Sequence, residues 1–270
     1  MLSSLLSTNK IFGTKHLIIV AVCAVVIALG YVFSRRLSLK TVCKIFFGVG
    51  IISEIVKIFY YIIANEEKLG GYLPKTDLPF HLCSIQIIFI AVLNISGNQK
   101  LKRFLLSFML PSCFVGGIAA ILIATTSSLN TWVITFQYFI YHVTLVIFSM
   151  HLFTSKEITF TAKDYLHCLE FLLGLMFFAI YINGILYDGE SNINFMYVVS
   201  PPQDGLPFLT EKYGWGVYIA HYACTILAAV TACYVKPLYV AIKGLFDKNK
   251  PQPRPDFDFD VAEDQSSDVA

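Results

Sequence analysis

Apolar residues come in blocks of roughly twenty along this chain, and short polar or charged stretches separate the blocks. The pattern predicts helices over 17–34, 42–64, 79–96, 103–125, 132–154, 163–187 and 214–240. At about 1.5 Å per residue, each is long enough to cross about 30 Å of hydrocarbon. None carries a polar stripe wide enough to face water, which argues against a soluble helical bundle. The blocks do not alternate with period two, which argues against a transmembrane β-barrel. The expected fold is therefore all-α, a polytopic membrane protein built as a bundle of seven transmembrane helices. The first block has no small-x-small site ahead of Arg35 and Arg36, so it does not read as a cleavable signal peptide.

The charges between the blocks give an orientation. Fourteen basic residues fall on one side, among them Arg35, Arg36, Arg103, Lys156 and Lys243. Five fall on the other, Lys10, Lys15, Lys68, Lys75 and Lys212, and Lys57 lies within a span. The positive-inside rule then predicts an outside N-terminus and a cytoplasmic C-terminus. The domain plan that follows is an outer segment 1–16, a seven-helix domain 17–246 and a disordered cytoplasmic tail 247–270. The tail is Pro- and Lys/Arg-rich, then acidic, and has too little apolar surface to build a core.

Composition narrows the function classes. The chain is 56% hydrophobic and 14% charged, with mean hydropathy +0.67. Soluble domains are about 45–50% apolar and about 25% charged, so a soluble enzyme is excluded. Seven cysteines in 270 residues are too sparse for a disulfide scaffold. A net charge of +2, scattered over loops, offers no nucleic-acid surface. Histidines and cysteines do not fall in zinc spacings, and no phosphate-binding glycine loop is present, so no metal or cofactor is expected. The expected setting is the cell membrane and the expected partner a membrane phospholipid.

Polar residues inside spans are expensive, so they carry the functional information. Glu54 and Lys57 are three apart in the second span and share a helix face. They read either as an internal ion pair or as a group that handles protons or substrate. The third span opens Asp77-Leu78-Pro79-Phe80-His81-Leu82-Cys83. Asp77 suits an N-cap and Pro79 a first turn, which places Cys83 near a helix N-terminus, where the dipole favours a thiolate. The bland reading of Cys83 is a small core residue like Cys23, Cys43 or Cys113. His81, two residues away, would share its face only in an irregular first turn.

Thr135, Tyr138, His142 and Ser149 form one stripe on the fifth span, with His142 about 15 Å deep. A histidine there either lines a wet cavity or makes an interhelical hydrogen bond. Asn183 and Tyr187 lie near the end of the sixth span, and Tyr218, His221, Tyr222 and Thr225 make a second stripe on the seventh. Between them runs a long polar and aromatic connection containing Asn194, Phe195, Met196 and Tyr197, of a kind that often serves as a lid.

The segment Leu78-Pro79-Phe80-His81-Leu82-Cys83 resembles the YwaF-type integral membrane proteins, relatives of the transmembrane-protein-164 acyltransferases. Tyr141-His142, Asn183, Asn194-Phe195-Met196-Tyr197 with Pro201-Pro202, and Trp215 to Tyr218 continue the resemblance in order. It covers most of residues 15–240. Phe195 stands where the family commonly has Tyr, and Gly216 where it commonly has Pro. The resemblance implies acyl transfer on glycerophospholipids through a cysteine nucleophile. In that reading Cys83 is the nucleophile and His142 the base, with His81 the other histidine in reach. Asn183 or Asn194 would donate to an oxyanion or orient the imidazole, and Glu54 and Lys57 would flank the site. The expected function is a membrane-embedded lipid acyltransferase, or a related thiol hydrolase, with an outward-opening cavity. The competing expectation is a small-molecule transporter or a membrane binding protein without catalysis, with Glu54, Lys57 and the two polar stripes as its pathway. Transport is disfavoured because no internal repeat is visible and only Pro111 interrupts a span centrally.

Overall fold

The computed structural model describes residues 13–64, 73–124, 131–190, 193–202, 206 and 209–246. The tail 247–270 and most of the segment 1–16 lie outside them. Among the described residues eight α-helices run in chain order: α1 (Thr14–Ser34), α2 (Leu39–Phe59), α3 (Leu82–Ile95), α4 (Gln99–Leu122), α5 (Trp132–Thr154), α6 (Ala162–Leu186), α7 (Trp215–Cys233) and α8 (Val235–Phe246). A π-helical turn, Tyr60–Ala64, extends α2. Short 3₁₀ turns occupy Lys75–Asp77 and Phe195–Tyr197. No strand occurs among the described residues.

Five of these helices, α1, α4, α5, α6 and α7, are long and apolar enough to cross a membrane. The hydropathy pattern predicts seven, and two departures explain the difference. Helix α2 is 21 residues long but carries Lys40, Lys44, Glu54 and Lys57. Helix α3 has 14 residues, about 21 Å at the helical rise, short of the hydrocarbon thickness. The last block divides as well. The pattern predicts one helix to 240, but α7 ends at Cys233 and α8 starts at Val235. Pro237 accounts for the break. A proline has no N–H for the carbonyl four residues back and clashes with it, yet it is tolerated in a first turn.

Helices α4 and α5 form the centre, and α5 also packs on α1 and α2 while α4 also packs on α3, α6 and α7. The core lies along them, from Leu106, Phe108 and Leu110 on α4 to Tyr141, Leu145 and Phe148 on α5. At Gly117 the two approach closely: a Cβ there would meet Val146 at 2.7 Å and the His142 carbonyl at 3.2 Å. Close approach through a small residue is the usual way helices pack tightly in lipid. The outer faces are apolar, with Ile18, Leu29, Phe33, Phe177 and Tyr181 among the exposed side chains. A shell of that kind suits lipid and not water.

Pro111 interrupts α4, and its effect on the backbone is compensated. Its missing N–H frees the carbonyl of Ser107, and the buried Tyr234 hydroxyl donates to that carbonyl at 2.6 Å. Ser149 donates to the Leu110 carbonyl at 2.5 Å, which ties α5 to the same turn. At the end of the bundle where α4 begins, Arg103 donates to both carboxylate oxygens of Asp164, at 2.8 and 2.7 Å. Asp164 also closes a capping box with Thr161 at the start of α6. Glu157 accepts from the Leu39 N–H at 2.8 Å, and burial pushes its carboxyl above the usual range although that bond opposes the shift.

Candidate active site

Cys83 is the second residue of α3. The helix starts three residues later than the sequence suggests. Leu78 is extended, as a residue before proline tends to be, and the Phe80 N–H donates to the Leu78 carbonyl at 2.8 Å across a three-residue turn centred on Pro79. Asp77 therefore ends a separate 3₁₀ turn and does not cap the helix. His81 takes the N-cap position, and its side chain makes no capping bond. The first intrahelical bond runs from Ile85 N–H to the His81 carbonyl, so the amides of Leu82, Cys83 and Ser84 lie ahead of the ladder. Cys83 thus sits partly exposed at a helix start whose dipole favours negative charge.

Polar groups from four other segments meet around this point. Tyr141 on α5 donates its hydroxyl to the Cys83 carbonyl at 2.6 Å and registers α5 against α3. On α2, Lys57 Nζ lies 3.0 and 2.8 Å from the two oxygens of Glu54. Lys57 is within electrostatic reach of His81, Cys83 and Asp77. Tyr61, in the π-helical turn, lies within electrostatic reach of Asp77. Burial pushes the Asp77 carboxyl up, and Lys57 and the Tyr61 and Thr76 hydroxyls oppose the shift. Across from α2, the His81 ring lies 5.1 Å from Phe195 and 5.8 Å from Tyr197, centre to centre. Burial, with a smaller push from Cys83, raises the Tyr197 phenol to about 12, so it stays protonated at neutral pH.

The segment carrying Phe195 and Tyr197 is held from both sides. Met196 and Tyr197 have φ of 56° and 53°, a left-handed backbone that side chains rarely adopt. Asn183 on α6 donates to the Phe195 carbonyl at 3.0 Å and accepts from the Phe195 N–H at 2.7 Å. On α7, Tyr222 donates to the Met196 carbonyl at 2.5 Å, Tyr218 donates to the Tyr197 carbonyl, and the Trp215 indole N–H donates to the Val198 carbonyl. Asn194 folds the following turn by bonding Ser200 and the Val199 N–H. The hydrogen bonds of both asparagines go to this loop, which sets the aromatic wall against His81.

His142 is buried on α5, and its Nδ1 bonds the Tyr138 carbonyl at 2.7 Å. Its ring neighbours are Tyr138 and Tyr141. It is within electrostatic reach of His81, but its hydrogen-bond and ring partners do not include Cys83. The rest of its stripe is spent on packing: Tyr138 donates to the Ala120 carbonyl and Thr135 back to Thr131. An open groove of about 420 Å³ lies beyond the loop, lined by Ile180, Asn183, Tyr187, Val198 and Trp215 among others. Its lining does not include Cys83, His81 or His142, so it is not the cavity expected to join them.

A family model described as the TMEM164 family matches residues 11–234. The chain belongs to the TMEM164 family. No curated protein and no solved structure matches it. The family membership and the five apolar helices together identify a multi-pass membrane protein. The TMEM164 match stops at Tyr234, the residue at which α7 gives way to α8. The narrower YwaF-type resemblance rests on the motifs alone. In this TMEM164-family chain the sequence points to Cys83, His81, Glu54 and Lys57, and these do gather at one end. Tyr141, Tyr197, Tyr61 and Asp77 complete the group, and their sequence signals are weak. Tyr141 adjoins His142, and Tyr61 lies one turn beyond Lys57.

Proposed function

We propose that this protein is a lipid acyltransferase, or a related thiol hydrolase, embedded in the cell membrane, with Cys83 as nucleophile. The observation that carries the reading is the placement of Cys83: partly exposed, second in a helix without a side-chain cap. In the proposed reaction Cys83 Sγ attacks the ester carbonyl of a glycerophospholipid. The S–C bond forms, the C–O bond breaks, and the thiol proton reaches the leaving alkoxide through a base. An acceptor hydroxyl, or water in the hydrolase case, then takes the acyl group from the thioester. His142 is the proposed base. If its Nδ1–H is the donor to Tyr138, the tautomer leaves Nε2 as the proton acceptor, working on Cys83 through a bridging water. His81, held against Phe195 and Tyr197, would orient the reacting ester. We place seven membrane-embedded helical segments in the bundle, α1 to α7. On the charge distribution the N-terminal segment lies outside and the tail in the cytoplasm.

Mass spectrometry of the purified protein after incubation with an activated phospholipid tests this. An acyl thioester on Cys83 is expected, lost in Cys83→Ser and retained in Cys113→Ser. His142→Ala should slow alkylation of Cys83. Absence of any acyl adduct on Cys83 would overturn the nucleophile role, and equal alkylation in wild type and His142→Ala would remove His142 from it.

A further inference from the structure

Helix α7 has 19 residues, about 28 Å at the helical rise, which uses up the hydrocarbon thickness of about 30 Å. Tyr234 closes it beside the Arg103 pair. Its ring lies 6.1 Å from Phe160 and 5.7 Å from Tyr165, and Arg103 donates to the Thr159 carbonyl at 2.8 Å. Helix α8 therefore starts at the boundary between hydrocarbon and headgroups. It packs on α6 and α7, with Leu238 against the core. Much of the rest stays open: Val235, Tyr239 and Ile242 are 64%, 62% and 56% exposed, and Lys236 and Lys243 are exposed beside them. At about 100° per residue, the three apolar residues fall within about 60° of one another and the two lysines within about 20°. The lysines thus run along one rim of the apolar stripe, and Val240 lies beyond them. No acidic residue occurs in 235–246. The same end of the bundle presents Arg35, Arg36, Lys100 and Lys163 as exposed cations. Its carboxylates Asp164 and Glu157 accept from Arg103 and from the Leu39 N–H. The surface to which α8 belongs is therefore positive.

We propose that α8 lies in the membrane interface and binds anionic phospholipid, with Val235, Tyr239 and Ile242 in the acyl boundary and Lys236 and Lys243 on lipid phosphates. An apolar stripe at the edge of the hydrocarbon, bordered by ammonium groups, has the make-up of a helix that lies in the interfacial plane. The lysine stems lie along the stripe while their ammoniums reach the headgroups. A zwitterionic surface buries the stripe equally well but offers the lysines no net charge. Anionic lipid adds about fivefold in binding per lysine, about thirtyfold for the two. A second copy of the chain suits this face less, because stripe on stripe would bring the two lysine rows together. The family match ends at Tyr234, so this contact lies outside the matched residues. It is also independent of the chemistry at Cys83.

Hydrogen exchange of residues 235–246, read by mass spectrometry, tests the proposal. The full-length protein is placed in nanodiscs of phosphatidylcholine alone or of phosphatidylcholine with phosphatidylglycerol. Both leaflets are present, so the result does not depend on orientation. Wild-type α8 should exchange about thirtyfold more slowly in the anionic discs, and about 1 M salt, with a screening length of about 3 Å, should erase the difference. Lys236→Gln with Lys243→Gln should exchange alike in both discs. These positions lie beyond the bundle, and the cations of the tail remain in the variant. Tyr239→Ser with Ile242→Ser should speed exchange in both discs. Equal exchange of wild type in the two discs would overturn the proposal. So would a difference that survives loss of both lysines, which would assign the effect to the tail. Protection that follows the number of copies per disc and not the lipid would also overturn it, in favour of a second copy.

Discussion

At the Arg103 end, the Asp164 carboxylate accepts from Arg103 Nε and Nη2 and from the Thr161 N–H and hydroxyl. At the Cys83 end, Glu54 and Lys57 are bound to each other within one helix. The first arrangement ties α4, α6 and the turn between α5 and α6 into one unit, with Asp164 almost wholly enclosed. The second lies within one helix and ties no two elements together. At the Cys83 end neutral groups grip the backbone of one short loop, Asn183, Tyr218, Tyr222 and Trp215 among them, and an exposed Lys75–Asp188 pair at 2.7 Å ties the turn ahead of α3 to the segment after α6. The contrast shows how a bundle in lipid separates two duties. Charges paired between elements hold the helices together, and the pair confined to one helix holds none.

The largest effect should come from Asp164→Ala, which leaves Arg103 without its carboxylate and opens the capping box. A loss of about 3–5 kcal/mol is expected for breaking a buried pair, read by thermal unfolding in detergent. A loss of less than about 1 kcal/mol, the range of surface pairs, would remove the contrast between the two ends. Next comes Asn183→Ala. It strands the N–H and carbonyl of Phe195, at about 1–3 kcal/mol for each group so exposed. The loosened loop should also speed alkylation of Cys83 by a neutral maleimide, and an unchanged rate would mean that the loop does not cover the thiol. The smallest effect belongs to the pair within one helix. Glu54→Gln with Lys57→Gln should alter stability by less than about 1 kcal/mol, and Glu54→Gln alone by more, because it strands Lys57. If the double variant is the less stable of the two, the pair is structural after all.

Run length and polarity make the helices legible, since blocks of about twenty apolar residues have few other fates. The helix borders are less so. Pro79 fits a helix first turn and a tight turn equally well, and only the extended Leu78 before it decides for the turn. At the candidate site, the three-residue spacing of Glu54 and Lys57 announces their pairing, because a shared helix face is a local property. Tyr141 and Tyr197 are not legible, since their part depends on α5 lying against α3 and on a loop folding back to His81. Tyr218 and Tyr222 stand out at i, i+4, but as interface aromatics. Their hydroxyls turn out to bond carbonyls that a left-handed loop directs towards them.

Pro111 and Tyr234 have a consequence for how the chain can change over time. The proline withholds a donor from Ser107 and the tyrosine supplies one, so the two side chains are inherited most safely as a pair. A lineage that loses the tyrosine hydroxyl first leaves a carbonyl stranded in the core. One that replaces the proline first gains a backbone donor and makes the hydroxyl dispensable. The order of substitution is therefore constrained, with position 111 free to drift before position 234. A double-mutant cycle of Pro111→Ala and Tyr234→Phe measures that constraint directly. Tyr234→Phe should be costly, by about 1–3 kcal/mol, only while Pro111 is in place. Additive effects would show that the two positions evolve independently.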